Sequence, residues 1–128
     1  LGEGAFQGCL ALREVTVPSA IGIIPARAFD ACIRLERVEI QEGITQIAPY
    51  AFYDCEMLQA VTLPESLTRI DQYAFYRCAI LESITIPAAV DSFGDEVFGM
   101  CPKLTVTAAK DSEAAAYCAG NDVPFAEK

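Results

Sequence analysis

The chain has 128 residues, which is the length of one domain, and its composition is 53% hydrophobic, which excludes a disordered tail. The formal net charge is −9, which argues against a nucleic-acid partner and against docking on anionic lipid, because both need a clustered basic surface. Histidine is absent, so the chain holds no Ser-His-Asp triad, no histidine base and no imidazole metal site. No stretch approaches about 20 uninterrupted apolar residues, so no membrane insertion is predicted.

A repeat with a period of 23 residues dominates the sequence. Phenylalanine, cysteine and leucine each recur at this spacing without an insertion or a deletion. The three columns are Phe6, Phe29, Phe52, Phe75 and Phe98; Cys9, Cys32, Cys55, Cys78 and Cys101; and Leu12, Leu35, Leu58, Leu81 and Leu104. A strict period of this length is typical of a repeat architecture, in which each unit buries its apolar face against its neighbours.

Within each unit the apolar spacing changes from that of a strand to that of a helical turn. Val61 and Leu63 alternate with Ala60 and Thr62, which predicts a strand with one buried face, and a proline then ends the strand. The next apolar pair brings the chain back in a short extended return. The Ala-Phe pair and the cysteine then occupy one face of a helical turn. Coils stacked about 4.8 Å apart would bury all these columns at once, and the handedness rule for parallel strands predicts a right-handed coil.

The pattern I-x-x-x-A-F-x-x-C-x-x-L-x-x-V-x-I-P resembles the BspA-like subgroup of the leucine-rich repeat superfamily. Its residues here are Ile70, Ala74, Phe75, Cys78, Leu81, Ile84, Ile86 and Pro87. The resemblance implies an α/β fold: a right-handed leucine-rich repeat solenoid (a β-rich horseshoe) with a parallel sheet on one face and a C-terminal cap. The commoner leucine-rich repeat form has an Asn ladder after the strand. No such ladder exists here, because those positions are Ala20, Gly43, Ser66 and Ala89.

The last part of the chain is predicted to be the cap. Residues 105–107 form a last, shortened strand that is one residue out of register, Ser112 caps a short Ala-rich helix, and Gly120 ends that helix. The ending also resembles the subgroup's usual terminus, through Ser112, Ala114, Tyr117, Val123, Pro124 and Phe125. We therefore expect a repeat array of about four and a half repeats at 1–107 and a cap at 108–128. We also expect the chain to begin inside a longer array.

The cysteine column permits two interpretations. It could be a thiol ladder for redox or soft-metal chemistry, but the neighbouring Phe and Leu columns favour buried, inert free thiols. Cys118 lies outside the register and is expected to be buried against the last coil rather than reactive. Asp91, Asp95 and Glu96 form the densest acidic cluster, which is expected to be a solvated surface because the loop pattern of a Ca²⁺ site is missing. No cofactor or metal is predicted.

Two surfaces are candidates for partner binding. The solvent side of the strands carries Arg37, Glu39, Thr62 and Thr85, although Thr is also simply a good strand residue. Arg34 and Arg37 are expected to pair with Glu36, Glu39 or Glu14 across coils. The helical-turn side carries Tyr50, Tyr53, Tyr73 and Tyr76, which are expected to be partly exposed and which could instead serve only to pack adjacent coils.

Three functions remain open at this point. The first is a non-enzymatic adhesion module that engages a host or matrix protein; by resemblance, such proteins lie on bacterial or protozoal surfaces, so an extracellular or cell-surface location is implied. The second is a structural spacer that displays another domain and has no ligand of its own. The third is an enzyme that uses Cys118 or the cysteine column, but no base, oxyanion motif or nucleotide loop supports it.

Overall fold

The computed structural model describes residues 1–128 as a solenoid of about five stacked coils. Each coil has three sides: a front strand, a short return strand and a turn. The elements are β1 (Glu14–Val17), β2 (Ile23–Ile24), β3 (Arg37–Ile40), β4 (Gln46–Ile47), β5 (Ala60–Thr62), β6 (Arg69–Ile70), β7 (Ser83–Thr85), β8 (Ser92–Phe93), β9 (Thr105–Ala108), α1 (Glu113–Gly120) and β10 (Phe125–Glu127). A short 3-10 helix at Ser19–Ile21 follows β1.

The front strands form the predicted parallel sheet in two sections. The first has the order β1-β3-β5 and the second the order β7-β9-β10, and β5 and β7 lie side by side without forming a paired ladder. Val15, Val38 and Val61 face one another in register. In the second section Ile84 pairs with Val106, so β9 is one residue out of the repeat register, as predicted. The prediction that β9 is shortened is wrong, since it spans four residues and gains a second partner in β10.

The return strands form a second parallel sheet, with the order β2-β4-β6-β8. Each strand has only two residues, and one of them belongs to the apolar column Ile24, Ile47, Ile70 and Phe93. The sequence predicted an extended return but did not specify that neighbouring returns pair. Pairing follows from the period, because equal coil lengths bring the same backbone groups opposite each other in every coil.

The turn side is also hydrogen-bonded from coil to coil. The N–H group of Phe29 donates to the carbonyl of Ala51 at 2.8 Å, and that of Phe52 donates to the carbonyl of Ala74 at 2.8 Å. Two residues in each turn have positive φ, for example Tyr50 at 62° and Asp54 at 61°. These left-handed residues cost some backbone energy, but they orient the N–H groups toward the next coil, so neighbouring turns are hydrogen-bonded as neighbouring return strands are.

The interior consists of the predicted columns. The rings of Phe29, Phe52 and Phe75 stack in parallel, with centroids 5.2 and 5.3 Å apart, and Phe6 and Phe98 extend the stack at its two ends. The thiol of Cys55 donates to the carbonyl of Phe29 at 3.2 Å, and the other cysteines of the column from Cys32 onward repeat this contact. The cysteine column therefore satisfies backbone carbonyls inside a core that is otherwise apolar.

Helix α1 buries Ala114 and Cys118 in the core, and Tyr117 contacts the last coil beside them. Its ring stacks on Phe93 with centroids 4.7 Å apart. Its hydroxyl accepts a hydrogen bond from the N–H of Val97 at 3.1 Å and donates one to the carbonyl of Gly94 at 3.0 Å. The Oγ of Ser112 accepts from the N–H of Ala115 at 3.2 Å, which confirms the predicted N-cap.

Candidate partner-binding surfaces

Three of the predicted binding residues lie together on the front sheet. Arg37, Glu39 and Thr62 line a depression of about 360 Å³, which also touches Glu14, Val15, Thr16, Val38 and Ala60. We call it the strand-face depression. The alternation of β3 and β5 explains it: every second side chain enters the core, and the side chains between them point to solvent. The small side chain of Ala60 leaves a hollow between longer neighbours.

The charges of the strand-face depression are mixed and solvated. Arg37 lies 3.7 Å from Glu14, as predicted, and these side chains are 61% and 69% exposed. A pair so exposed contributes little to stability. Each of the two side chains can therefore leave this ion pair and bind a charged group of a partner. Glu39 is exposed and forms no salt bridge within the chain. Arg34 is also exposed without an ion pair, so its predicted pairing is wrong.

Thr85 does not join this group in the depression. It lies on β7, in the second section of the front sheet, where it pairs with Thr107. The sequence period places Thr85 one coil from Thr62, but the ladder between β5 and β7 is interrupted. The period shows only which residues share a row and carries no signal of this interruption.

A polar ledge, which was not predicted from the sequence, borders the strand-face depression. A second, shallower hollow of about 510 Å³ shares Glu39 and Thr62 with the depression and reaches Glu42. The carboxylate of Glu42 accepts the N–H groups of Glu65 and Ser66 in the next coil. The hydroxyl of Ser66 in turn accepts the N–H of Gly43 at 2.9 Å and donates to the carbonyl of Ile44 at 2.8 Å.

At this boundary between two coils, these bonds make the connection that an Asn ladder makes in the commoner leucine-rich repeat form. The signal was present in the sequence, since Ser66 occupies the Asn position and a hydroxyl can both donate and accept.

The four tyrosines form a compact two-by-two array on the turn side. Tyr50 stacks on Tyr73 at 5.1 Å, and Tyr53 stacks on Tyr76 at 5.4 Å, measured between ring centroids. Within each turn the two rings meet at an angle, at 5.3 and 5.2 Å. All four residues are partly exposed, as predicted. The array belongs to a different side of the coil from the strand-face depression, so the predicted residues form two surfaces.

Neighbouring groups already cover the ring faces at the ends of the array. The guanidinium of Arg27, held by Asp30 at 2.9 Å, lies 4.2 Å from the ring centroid of Tyr50. At the other end Tyr76 packs so closely on Gly99 that a Cβ there would lie 2.6 Å from the ring. Loss of hydration raises the pKa of Tyr73, and Tyr50 and Glu96 add to the shift. At these two rings, Tyr50 and Tyr76, a partner would therefore meet neighbouring groups rather than an open face for stacking.

The thiols have the buried character that the sequence predicted, except at the ends of the column. Cys32, Cys55, Cys78 and Cys118 are buried, and all six cysteines are free. Burial raises the pKa of each of these four thiols. Cys9 and Cys101 are only partly buried, and hydrogen bonding from Cys78 lowers the pKa of Cys101. No group of three metal-ligating side chains occurs, and Asp91, Asp95 and Glu96 are exposed, as expected.

Comparison with known proteins places this architecture in a family. The family described as BspA type leucine rich repeat region, in six copies, matches residues 1–112. The chain belongs to the BspA-type leucine-rich repeat family. Members of this family and fold are generally protein-interaction or structural modules and are typically not enzymes. A search of curated protein sequences finds no significant match.

Solved structures of leucine-rich repeat proteins are similar to the chain. A T. pallidum leucine-rich repeat protein is 34% identical with a TM-score of 0.81, over 84% of this chain and 50% of its own. The pneumococcal vaccine antigen PcpA is 31% identical with a TM-score of 0.71, over 75% of this chain and 24% of its own. A Bacteroides ovatus leucine-rich repeat protein shares the fold at 21% identity and a TM-score of 0.79, over 99% of this chain and 30% of its own. The chain thus spans half or less of the length of each. None of its helices is long and apolar enough to cross a membrane.

Proposed function

We propose that this BspA-type repeat chain is an adhesion module of a cell-surface protein, and that it binds a host or matrix protein through the strand-face depression. The observation that carries the proposal is the convergence of Arg37, Glu39 and Thr62 on one hollow of a rigid sheet. None of the three side chains is needed by the core, which lies on the opposite face of the strands. The likeness to a vaccine antigen supports a surface location, since an antigen must be reachable from outside.

The geometry suits binding by many modest contacts. The strands that carry the contact residues are held by backbone hydrogen bonds to neighbouring coils, so little entropy is lost on binding. The positive charge of Arg37 lies between two negative ones, that of Glu14 on the neighbouring strand and that of Glu39 on its own strand, which favours a partner with the complementary arrangement. Repetition of such a surface on a longer protein would add avidity without new kinds of contact.

Charge reversal on the strand-face depression tests the proposal. The double variant R37E/E39R keeps the net charge and the strand residues' exposure but exchanges the two signs. Binding of wild type and variant to immobilised host matrix proteins is measured by surface plasmon resonance. We expect the variant to lose about tenfold in affinity, or ~1.4 kcal/mol.

The matched control is R34E/E56R, which exchanges the signs of two exposed charges that border a different hollow. This control should bind like the wild type. Equal binding by all three proteins would reject the strand-face depression as the contact surface. Absence of binding by the wild type across matrix proteins would favour a spacer that displays another domain.

The tyrosine array is a second candidate surface, because its four rings stack together on the turn side and all four residues are partly exposed. The variant Y73F/Y76F retains both rings and their stacking but removes the hydroxyls. If the array contacts the partner through these hydroxyls, this variant loses affinity while its unfolding midpoint stays within about 2 °C of the wild type. Unchanged affinity would assign the array to packing between coils alone.

A further inference from the structure

The hydrogen bonds of the turn side run in one direction along the molecule. In each turn segment three alternate N–H groups donate to carbonyl oxygens of the next coil. The N–H groups of Tyr73, Phe75 and Arg77, for example, donate to Asp95, Val97 and Gly99 at 3.0, 3.0 and 2.9 Å. The same three bonds join the segments that begin at residues 4, 27 and 50 to their successors. We call this set of bonds the turn ladder.

The turn ladder stops at the last coil with its donors unpaired. The N–H groups of Glu96, Phe98 and Met100 occupy the donor positions, and none has an acceptor within the chain. By the spacing of the earlier coils, the residues that would supply the acceptors lie at the end of α1 and in the turn after it. There the carbonyl of Cys118 already accepts the N–H of Val123 at 3.0 Å. Glu96 and Met100 are exposed, so water reaches this position, and an occupant that accepts from these donors replaces water with main-chain hydrogen bonds.

A cavity of about 460 Å³ lies at this point. One wall is formed by Glu96 and residues 98–102, which include the three unpaired donors, and the other wall by Tyr117 and residues 121–124. Met100 is 64% exposed at its rim. Glu96 and Asp122 are exposed acids, and no Lys or Arg lines the cavity. The cavity thus combines backbone donors, apolar surface and negative charge where the turn of a further coil would lie.

We propose that this cavity docks a segment of a partner protein by main-chain addition to the turn ladder. The segment presents carbonyl oxygens at alternate residues to the N–H groups of Glu96, Phe98 and Met100. It also carries a Lys or Arg side chain that meets Glu96 and Asp122. Main-chain bonds supply affinity in this mode, and the side chains supply specificity. Continuity with the ladder inside the chain and the charge of the walls select such a basic segment as the occupant.

A peptide copied from the chain itself is the probe. Residues 69–80, with both ends blocked, carry the three carbonyls that accept the ladder of the preceding coil, at Gln72, Ala74 and Tyr76. They also carry Arg69 and Arg77, which give the peptide a net positive charge. The peptide is titrated into the ¹⁵N-labelled chain while amide resonances are followed. We expect downfield shifts at Glu96, Phe98 and Met100, and hydrogen exchange at these amides about tenfold slower with the peptide bound.

Two charge variants complete the test. E96Q/D122N should weaken peptide binding by about tenfold, whereas E56Q/E82Q, which removes two exposed acids elsewhere, should leave it unchanged. A scrambled peptide of the same composition should not shift the three amides.

Absence of shifts at these amides, or shifts confined to the front sheet, would overturn the proposal. Concentration-dependent shifts of the same amides without peptide would overturn it in favour of a second copy of the chain. The strand-face variant R37E/E39R leaves this cavity intact, so failure of the adhesion proposal and failure of this one are distinguishable.

Discussion

Each buried side chain of the repeat is stabilised by its equivalents in the coils on both sides. Phe52 is fully buried between Phe29 and Phe75, whereas Phe6 has a ring neighbour on one side only and is 41% exposed. The sequence identifies both as members of one column, because the period is visible in the letters. The sequence does not distinguish their burial, because burial depends on how many coils lie on either side.

The phenylalanine column gives the first prediction. Phe52→Ala should cost about 3–5 kcal/mol, since it removes a buried ring and leaves a cavity between two others. Phe6→Ala, which removes the same atoms at the partly exposed end, should cost less than about half of that. Urea unfolding followed by circular dichroism measures both. Equal costs would show that the stack does not carry the stability of the core.

Thiol reactivity is the second prediction at this scale. In the native chain Ellman's reagent should react first with Cys9 and Cys101, because they are partly exposed, and with the four buried thiols only after unfolding. The lowered pKa of Cys101 should place the midpoint of its pH–rate curve below the ordinary pKa of a cysteine thiol. The single variants C9S and C101S assign the two phases. Rapid reaction of Cys55 or Cys78 in the native state would contradict the structure.

At the scale of elements, the C-terminal segment differs most from what the repeat could predict. The period predicted the strands, the turns and the parallel front sheet, and residue preferences predicted the start of α1. The position of Tyr117 could not follow from a period, because its partners Phe93, Gly94 and Val97 belong to another kind of element. Its hydroxyl inserts between the N–H of Val97 and the carbonyl of Gly94. In earlier turns the equivalent groups bind each other directly: the N–H of Ala74, for example, donates to the carbonyl of Asp71.

Removal of that hydroxyl is the third prediction. Tyr117→Phe keeps the ring stacked on Phe93 but leaves the hydrogen bonds of Val97 and Gly94 unmade, and should cost about 1–2 kcal/mol. The control Tyr50→Phe removes a hydroxyl that makes no hydrogen bond within the chain and should change the free energy of unfolding by less than about 0.5 kcal/mol. Chemical denaturation of the three proteins checks the difference. Indistinguishable stabilities would contradict the inserted hydroxyl.

Gly94 gives a fourth prediction. A Cβ at this residue would lie 2.2 Å from the backbone nitrogen of Gln72, so the two coils would have to separate. Gly94→Ala should therefore cost about 1–3 kcal/mol through overpacking. Gly120→Ala is the control, because a Cβ there meets nothing within 4 Å and alanine is the better helix former. Thermal unfolding should show a lower midpoint for the first variant and an equal or higher one for the second.

At the scale of the whole molecule, buried thiols couple stability to pH. Burial raises the pKa of Cys32, Cys55, Cys78 and Cys118 above the ordinary value of a thiol, so these groups stay protonated in the folded chain where the unfolded chain would ionise. Their contribution is complete below the unfolded pKa of about 8.5 and is lost as pH rises toward the folded values.

The fifth prediction is a fall in the free energy of unfolding above pH 9, by as much as about 1.4 kcal/mol per pH unit for each thiol. Unfolding in urea between pH 7 and pH 10.5 measures the slope. The variant C55A/C78A, which removes two fully buried thiols, should show a shallower slope than the wild type. A slope that does not change in C55A/C78A would assign the effect to other groups, such as the tyrosines.

The overall architecture could be predicted because one rule, the period, applies to every coil. The surfaces were only partly predictable. Three of the four strand residues converge as expected, while Thr85 lies beyond the interruption between β5 and β7. The bonds of Glu42 and Ser66 and the unpaired donors of the last coil depend on neighbours that differ from coil to coil, and a period describes only what the coils share.

The direct stacking of identical turns has a consequence for how such a protein changes over generations. Each inner turn offers donors to the coil after it and acceptors to the coil before it, so successive 23-residue units make the same backbone contacts there. Tandem duplication of one unit in the gene would add a coil whose contacts with its neighbours are already encoded in its sequence. The reach of the molecule can therefore lengthen in a single genetic event, while the residues that meet a partner change independently.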